Sequence, residues 1–154
     1  MSPVVTQTLR DMFVLRGYTH SDDFSSIVTK DGSKMSLYHC IGGKVGIATA
    51  RSIPPNCILI HRDKLTTSAE KYLVNIEIWS EIDLLFNVTK HKLYRPHRLL
   101  SAVETSDLLK RLRCELKHLP QIAANDAVVK FFGWKNGVVE IVRSEGDLYY
   151  RVIK

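Results

Sequence analysis

Leu119-Pro120-Gln121-Ile122-Ala123-Ala124-Asn125-Asp126-Ala127-Val128-Val129-Lys130-Phe131-Phe132-Gly133-Trp134-Lys135-Asn136-Gly137 is the stretch whose reading decides the fold. Leu119-Pro120 closes whatever helix precedes it, because a proline ring disfavours helical geometry in the residue before it. Asn125 or Asp126 can cap a new helix by accepting a hydrogen bond from a free N–H in its first turn. That helix is short, since Gly133 reads as its left-handed stop. Asn136-Gly137 is a turn dipeptide, and Val138 to Val142 follows as a β-rich run. A compact helix, a tight turn and a strand are thus specified in succession, and none of these residues forms a catalytic constellation.

Downstream, the chain ends in a hairpin, roughly Val138–Arg143 and Leu148–Ile153, turned at Gly146. Upstream, Ser101-Ala102-Val103-Glu104 is a capping-box pattern. It opens a helix with Leu108, Leu109, Leu112 and Leu116 on one face and Lys110, Arg111 and Arg113 largely on the other. Thr89 to Pro96 is the expected domain junction. Further back, Thr6 to Arg16 reads as an amphipathic helix with Val5, Leu9, Met12 and Phe13 at helical spacing and Gly17 as its stop. Ser21 to Ser26 is a polar connection. Met35 to Ile41 alternates as a strand would, and Gly42-Gly43 breaks it; Lys44 to Ala50 reads equally as strand or short helix. Cys57-Ile58-Leu59-Ile60 has the composition of a buried strand. His61 to Lys71 is a polar loop entering a helix capped by Thr67 or Ser68, with Glu70 completing a capping box from Thr67. Leu73, Ile76 and Trp79 continue its face, and Asp83 to Val88 reads as a strand.

The chain has 154 residues, of which 45% are apolar, enough for a globular core in one ordinary domain or two small ones. No apolar run is long enough to span a bilayer, so no membrane role is expected, and the N-terminus lacks the pattern of a secretory signal. The three cysteines, Cys40, Cys57 and Cys114, are far apart and odd in number, and read as buried or free thiols in a reducing compartment. Residues 1–87 carry nine basic and nine acidic side chains. Residues 88–154 carry thirteen basic and seven acidic ones, so the whole formal charge of +6 falls there. A basic excess fits nucleic acid or an acidic groove on a protein partner, and also an ordinary solvated surface.

Two ordered motifs resemble a known family. Leu119-Pro120-x-Ile122, Asp126, Gly133, Gly137, Val139-x-Ile141-x-Arg143 and Tyr150-Arg151 are similar to the C-terminal domain of the fifth subunit of eukaryotic-type DNA-directed RNA polymerases, a domain that is essentially the whole of the archaeal H subunit. The upstream His91-x-Leu93-x-x-Pro96-His97-x-x-Leu100-Ser101 is a second match in the right order. The family's first helix also ends at Arg-Gly-Tyr, here Arg16-Gly17-Tyr18. Departures are Ala127 where the family has proline, the short loop Ser144-Glu145-Gly146-Asp147, and Thr66-Thr67-Ser68-Ala69 where the family's jaw loop has Thr-Pro-Ser-Ala. The N-terminal domain is also shorter than the usual eukaryotic jaw, a length that suggests a divergent lineage such as a large DNA virus.

The resemblance implies an α/β (α+β) fold in two small domains with a mixed sheet in each: a nuclease-like jaw at residues 1–88 and an assembly domain at residues 89–154. It implies a non-catalytic polymerase subunit that docks on the largest subunit and lines the downstream duplex DNA, with no cofactor, no metal and no small-molecule substrate. The implied subunit-interface residues are His91, Pro96, His97, Leu119, Pro120, Ile122, Asp126, Gly133, Gly137, Arg143, Tyr150 and Arg151. Arg62, Lys64, Thr66, Thr67, Ser68 and Lys71 are the DNA-facing candidates, because cations, hydroxyls and N–H groups at a helix start are what phosphates bind; read without the family, they are an ordinary capped helix. The location implied is the nucleus, or a cytoplasmic viral factory or virion if the chain is virus-encoded. A free-standing basic nucleic-acid-binding protein is the alternative.

Other constellations are weak. His91 and His97 stand six apart without cysteine or carboxylate support, a poor zinc pattern, and hydrogen bonding at the junction is the better reading. His39 on an apolar strand reads as a satisfied core histidine. A nuclease would need clustered carboxylates and a nearby lysine, and the only Glu-x-Lys triplet, Glu115-Leu116-Lys117, lies away from Asp63-Lys64. Phe131, Phe132 and Trp134 interleave with Lys130 and Lys135 as a stacking platform would, but rings at this spacing are more often core. Arg143 and Arg151, on adjacent strands, are placed to pair with a partner subunit or with Asp126, or to stay solvated.

Overall fold

A computed structural model describes residues 1–74, 76–143 and 146–154. The chain divides into two compact units, Met1–Asn87 and Val88–Lys154. Each is a mixed α+β assembly around its own mixed sheet.

The first unit opens with α1 (Pro3–Arg16), which starts earlier than its apolar spacing suggests because Ser2 caps it and Pro3 occupies the first turn. Val5, Leu9, Met12 and Phe13 are fully buried, and Gly17 ends the helix in the left-handed conformation. Two short strands, β1 (Thr19–His20) and β2 (Ile27–Val28), lead antiparallel into β3 (Lys34–Cys40). From there the sheet is parallel, through β4 (Cys57–His61) to β5 (Glu77–Ser80). The crossovers are α2 (Ile47–Ser52) and α3 (Thr67–Tyr72). The ambiguous segment at Lys44 is thus a bridge residue, Val45, followed by a helix.

Strand alternation divides β4 between two faces. Cys57 and Leu59 pack with Ala50, Ile53, Ala69 and Leu73 of the crossovers. Ile58 and Ile60 point the other way and are fully buried. On that second face α1 is tied to β5 by a bidentate pair: Arg16 Nη1 and Nη2 donate to Glu77 Oε2 and Oε1 at 2.9 and 2.6 Å. The Arg16 side chain is 1% exposed, so its guanidinium is desolvated and depends on this good geometry, while the Glu77 side chain, 28% exposed, keeps contact with solvent.

Three local expectations are corrected here. The cap of α3 is Thr66 rather than Thr67 or Ser68; its hydroxyl accepts from Ala69 N–H at 3.2 Å, so no capping box forms with Glu70. The helical face does not continue through Leu73, Ile76 and Trp79: the helix stops at Tyr72, and pairing with β4 claims Glu77–Ser80 as strand. The strand expected over Asp83 to Val88 is instead a run of turns closed by Leu84 N–H to Glu81 O and Leu85 N–H to Ile82 O.

In the second unit β6 (His97–Leu99), β8 (Val138–Val142), β9 (Leu148–Ile153) and β7 (Gln121–Ile122) lie in that order, antiparallel except for the β7–β9 edge. The turn between β8 and β9 lies partly outside the described residues, and so does the comparison of its Ser144–Asp147 length. α4 (Ala102–Leu112) carries the expected capping box of Ser101 and Glu104. It is shorter than expected: Arg113 takes the left-handed conformation, Leu112 and Leu116 are exposed, and Leu116 belongs to a separate 3-10 turn, Leu116–His118, that ends at Leu119-Pro120. Leu108 and Leu109 pack with Leu100, Leu119, Val138 and Val152 on one sheet face.

α5 (Ala127–Phe132) seals the other face with Val129, beside Val139, Ile153 and Trp134. Asp126 Oδ1 caps it, accepting from the N–H groups of Val128 and Val129 at 2.9 and 3.3 Å. Gly133 stops it at φ +71°, its N–H reaching back to Lys130 O. Gly137 is required twice over: φ is +111°, and a Cβ there would meet Leu99 Cδ1 at 3.0 Å.

Gly133→Val is expected to cost about 1–3 kcal/mol, because a β-branched residue tolerates positive φ badly. In a domain of this size each kcal/mol lowers the melting midpoint by roughly 4–8 °C. Differential scanning calorimetry of the full chain checks it, and an unchanged midpoint contradicts the left-handed stop.

Candidate functional site

The six DNA-facing candidates sit where β4 leaves the first sheet and enters α3. They are not equivalent. Arg62 is held: its Nε donates to Glu81 Oε2 at 2.6 Å and its Nη2 to Glu81 Oε1 at 3.3 Å. The Arg62 side chain is 54% exposed, but Glu81 is only 9% exposed. Its guanidinium holds the Glu81 carboxyl below the usual range. Thr66 is also engaged, since its hydroxyl caps α3 and donates to Val45 O at 3.2 Å. Lys64, Thr67, Ser68 and Lys71 are exposed, and their side chains make no bond among the described residues. The loop therefore offers two cations and two hydroxyls, not the three cations the sequence suggests.

Behind Arg62 lies His39, on β3. Its Nε2 is buried without a hydrogen-bond partner and stands 4.0 Å from Glu81 Oε2. Burial pushes the imidazole below its ordinary range, so His39 stays neutral there, with the Glu81 charge opposing the shift. It is a core histidine as expected, but not a satisfied one.

In the second unit most of the family-motif residues hold the fold rather than face outward. Leu119 is buried, Pro120 O accepts from Val152 N–H at 2.8 Å, and Ile122 packs under α5. Asp126, Gly133 and Gly137 fix the helix and turn as above. Pro96 O accepts from Val142 N–H at 3.0 Å. His91 Nδ1 accepts from Leu93 N–H at 3.1 Å, and His97 Nδ1 lies 2.5 Å from Arg95 O, with its ring stacked on Tyr94. Both histidines thus make local bonds, and no group of three or more potential metal ligands occurs among the described residues. Of the aromatic run, Phe131 is buried, while Phe132 and Trp134 are half-buried and stack on each other at 4.6 Å.

The two faces of the second sheet differ electrostatically. On the α4 face Arg98 bonds both Glu140 Oε1, at 3.1 and 3.0 Å, and Glu104 Oε1, at 2.5 Å. Together with the Ser101 N–H and hydroxyl, it pulls the Glu104 carboxyl down to about 2. Tyr150 lies on this face, its hydroxyl accepting from Arg111 Nη2 at 3.2 Å. On the opposite face, beyond α5, lie Arg143, just past the end of β8, and Arg151 of β9. Neither pairs with Asp126, whose carboxylate is committed to its cap. Arg143 Nη1 donates to the Tyr149 hydroxyl at 2.7 Å and its guanidinium lies 4.3 Å over that ring. Arg151 Nη1 donates to Gln121 O at 3.1 Å. Sequence reasoning missed Arg95 and Tyr149, which join them in one cleft with Ile141. Only strand register brings Arg95 there, and nothing local in the sequence signals it.

The description "RNA polymerase Rpb5, C-terminal domain" matches residues 86–153. The chain is 32% identical over 121 residues to the DNA-directed RNA polymerase V subunit 5A of Arabidopsis thaliana, covering 76% of this chain and 54% of the relative. It is 30% identical to the Arabidopsis thaliana DNA-directed RNA polymerases IV and V subunit 5B, covering 78% and 63%. It is 35% identical over 83 residues to the DNA-directed RNA polymerases I, II, and III subunit rpabc1 of Dictyostelium discoideum, covering 53% and 42%. The chain thus spans about half the length of these relatives.

The Glu104 environment sets a pH dependence. Its folded pKa is depressed, so the stabilisation is full above the unfolded value of 4.5 and is lost as pH falls toward about 2. Glu104→Gln keeps an acceptor for Ser101 N–H but not the charge. The wild-type advantage in melting midpoint over this variant should therefore shrink between those two pH values. A difference that stays constant across that window contradicts the assignment.

Proposed function

We propose, from the match of residues 86–153 to the RNA polymerase Rpb5 C-terminal domain and from the likeness to polymerase subunits, that the chain is a non-catalytic subunit of a multisubunit DNA-directed RNA polymerase. The observation that carries the reading is the coincidence of the family match, 86–153, with the second compact unit, Val88–Lys154. In this reading that unit is the assembly domain, docked on the largest subunit. The first unit is a jaw beside downstream duplex DNA, and nucleotide chemistry belongs to other subunits. The location that follows is the nucleus, with a viral factory or virion as the alternative for a virus-encoded chain.

The physical division of the molecule supports this assignment of roles. The motif residues of the second unit are engaged in caps, turns and strand pairing, which makes a rigid platform, and its formal charge of +6 suits an acidic partner surface. The first unit is neutral overall, so its DNA contact is local, confined to Lys64, Thr67, Ser68 and Lys71. The same excess charge favours the second reading, a free-standing basic nucleic-acid-binding protein.

Affinity purification of the tagged chain from its native source separates them. The subunit reading expects stoichiometric recovery in a complex of very large mass that contains the largest polymerase subunit; recovery as a free 17.6 kDa chain overturns it. For the jaw, Lys64→Ala with Lys71→Ala in the assembled enzyme should flatten the salt dependence of DNA binding by about 0.9 in slope per lost phosphate contact. An unchanged slope removes the loop from the DNA interface.

A further inference from the structure

Arg95, Arg143 and Arg151 converge with Tyr149 and Ile141 on a cleft of about 510 Å³ on the open part of the second sheet. Among the described residues no carboxylate oxygen lies within 4.0 Å of any of the three guanidiniums. On the opposite face of the same sheet Arg98 is neutralised by two glutamates, Glu104 and Glu140. Three cations that share one cleft reinforce each other's attraction for an anion that enters it.

We propose that this cleft is the acceptor site for a protein segment carrying two or more aspartate or glutamate side chains. The proposal gives the docking surface its chemistry and so rests on the subunit reading. Two of the three arginines are already positioned. Tyr149 holds Arg143 through its hydroxyl and its ring face, and Gln121 O holds Arg151. Each retains further N–H groups in a planar fork that matches a carboxylate bidentately. Fixing the donors in advance removes part of the ordering cost of binding. The composition favours protein over nucleic acid. Arginine and tyrosine are residue types that protein interfaces favour, whereas a phosphate track is lined by spread lysines as well as arginines, and no lysine lines this cleft.

The test titrates the full chain at low salt with fluorescent hexaglutamate and, separately, with a hexathymidylate single strand. Arg143→Gln with Arg151→Gln should weaken hexaglutamate binding by roughly tenfold or more. The corresponding lysine pair should be intermediate, since lysine keeps the charge but not the fork. Hexathymidylate binding should change less than twofold. Arg95→Gln, whose side chain makes no bond among the described residues, gives the same reading if the double variant loses its melting transition. Hexaglutamate binding that is undetectable or indifferent to all these changes overturns the proposal, as does arginine dependence confined to the thymidylate. Co-expression with the largest polymerase subunit keeps the two readings apart. Arginine-dependent glutamate binding in a chain that never co-elutes leaves the acidic site standing and removes the subunit reading. Co-elution with no arginine-dependent glutamate binding does the reverse.

Discussion

A six-residue helix fixed at both ends is the constraint on which the second unit depends. Asp126 fastens its first turn and Gly133 turns the chain out of it, so that Val129 drops onto Val139 and Ile153. With the exit direction set, Trp134 N–H bonds back to Val129 O, and Gly137 passes Leu99 closely enough that a Cβ there would press on its Cδ1 at 3.0 Å. That passage delivers β8 into pairing with both β6 and β9. The alternation along β8 and β9 then does the rest. Val138 and Val152 go to α4, while Ile141, Tyr149, Arg143 and Arg151 go to the open face. A one-residue slip in that pairing would exchange the two faces.

The first unit is organised by a different device. Its parallel strands need long crossovers, and α2 and α3 are too short to cover both faces. α1 supplies the missing layer, and the Arg16–Glu77 pair sets its position against β5. Glu77 also accepts from Trp79 Nε1 at 2.7 Å, so one carboxylate anchors a helix and an indole together. At the far end of the same strand Glu81 takes Arg62, which leaves lysines and hydroxyls as the loop's open groups.

What the sequence disclosed and what it concealed follow from the range of the forces involved. Local signals were readable: the Ser101–Glu104 box, the stops at Gly17 and Gly133, the branched run of β4, and the hairpin of β8 and β9. Non-local competition was not. Thr66 becomes the cap of α3 in preference to Thr67 because its hydroxyl and its N–H both reach Val45 O across the loop. Glu77–Ser80 becomes strand because β4 offers it a partner, and the turns after Glu81 take the place of the strand read at Asp83. For the candidate sites, the sequence names the motif residues but not which of them remain open. Pairings such as Arg62–Glu81 and Arg98–Glu140 join residues 19 and 42 positions apart, and only the folded sheet shows that Arg143 and Arg151 have no such partner among the described residues.

The central claim is that the second unit fastens the chain to a polymerase while the first unit carries only a local contact. Lysine-directed cross-linking of the purified native complex, read by mass spectrometry, tests it most directly. The account predicts that links to the largest subunit arise mainly from Lys110, Lys117, Lys130, Lys135 and Lys154, with Lys64 and Lys71 contributing few. Links to the largest subunit that arise chiefly from lysines in residues 1–87, with the second unit unlinked, would contradict it.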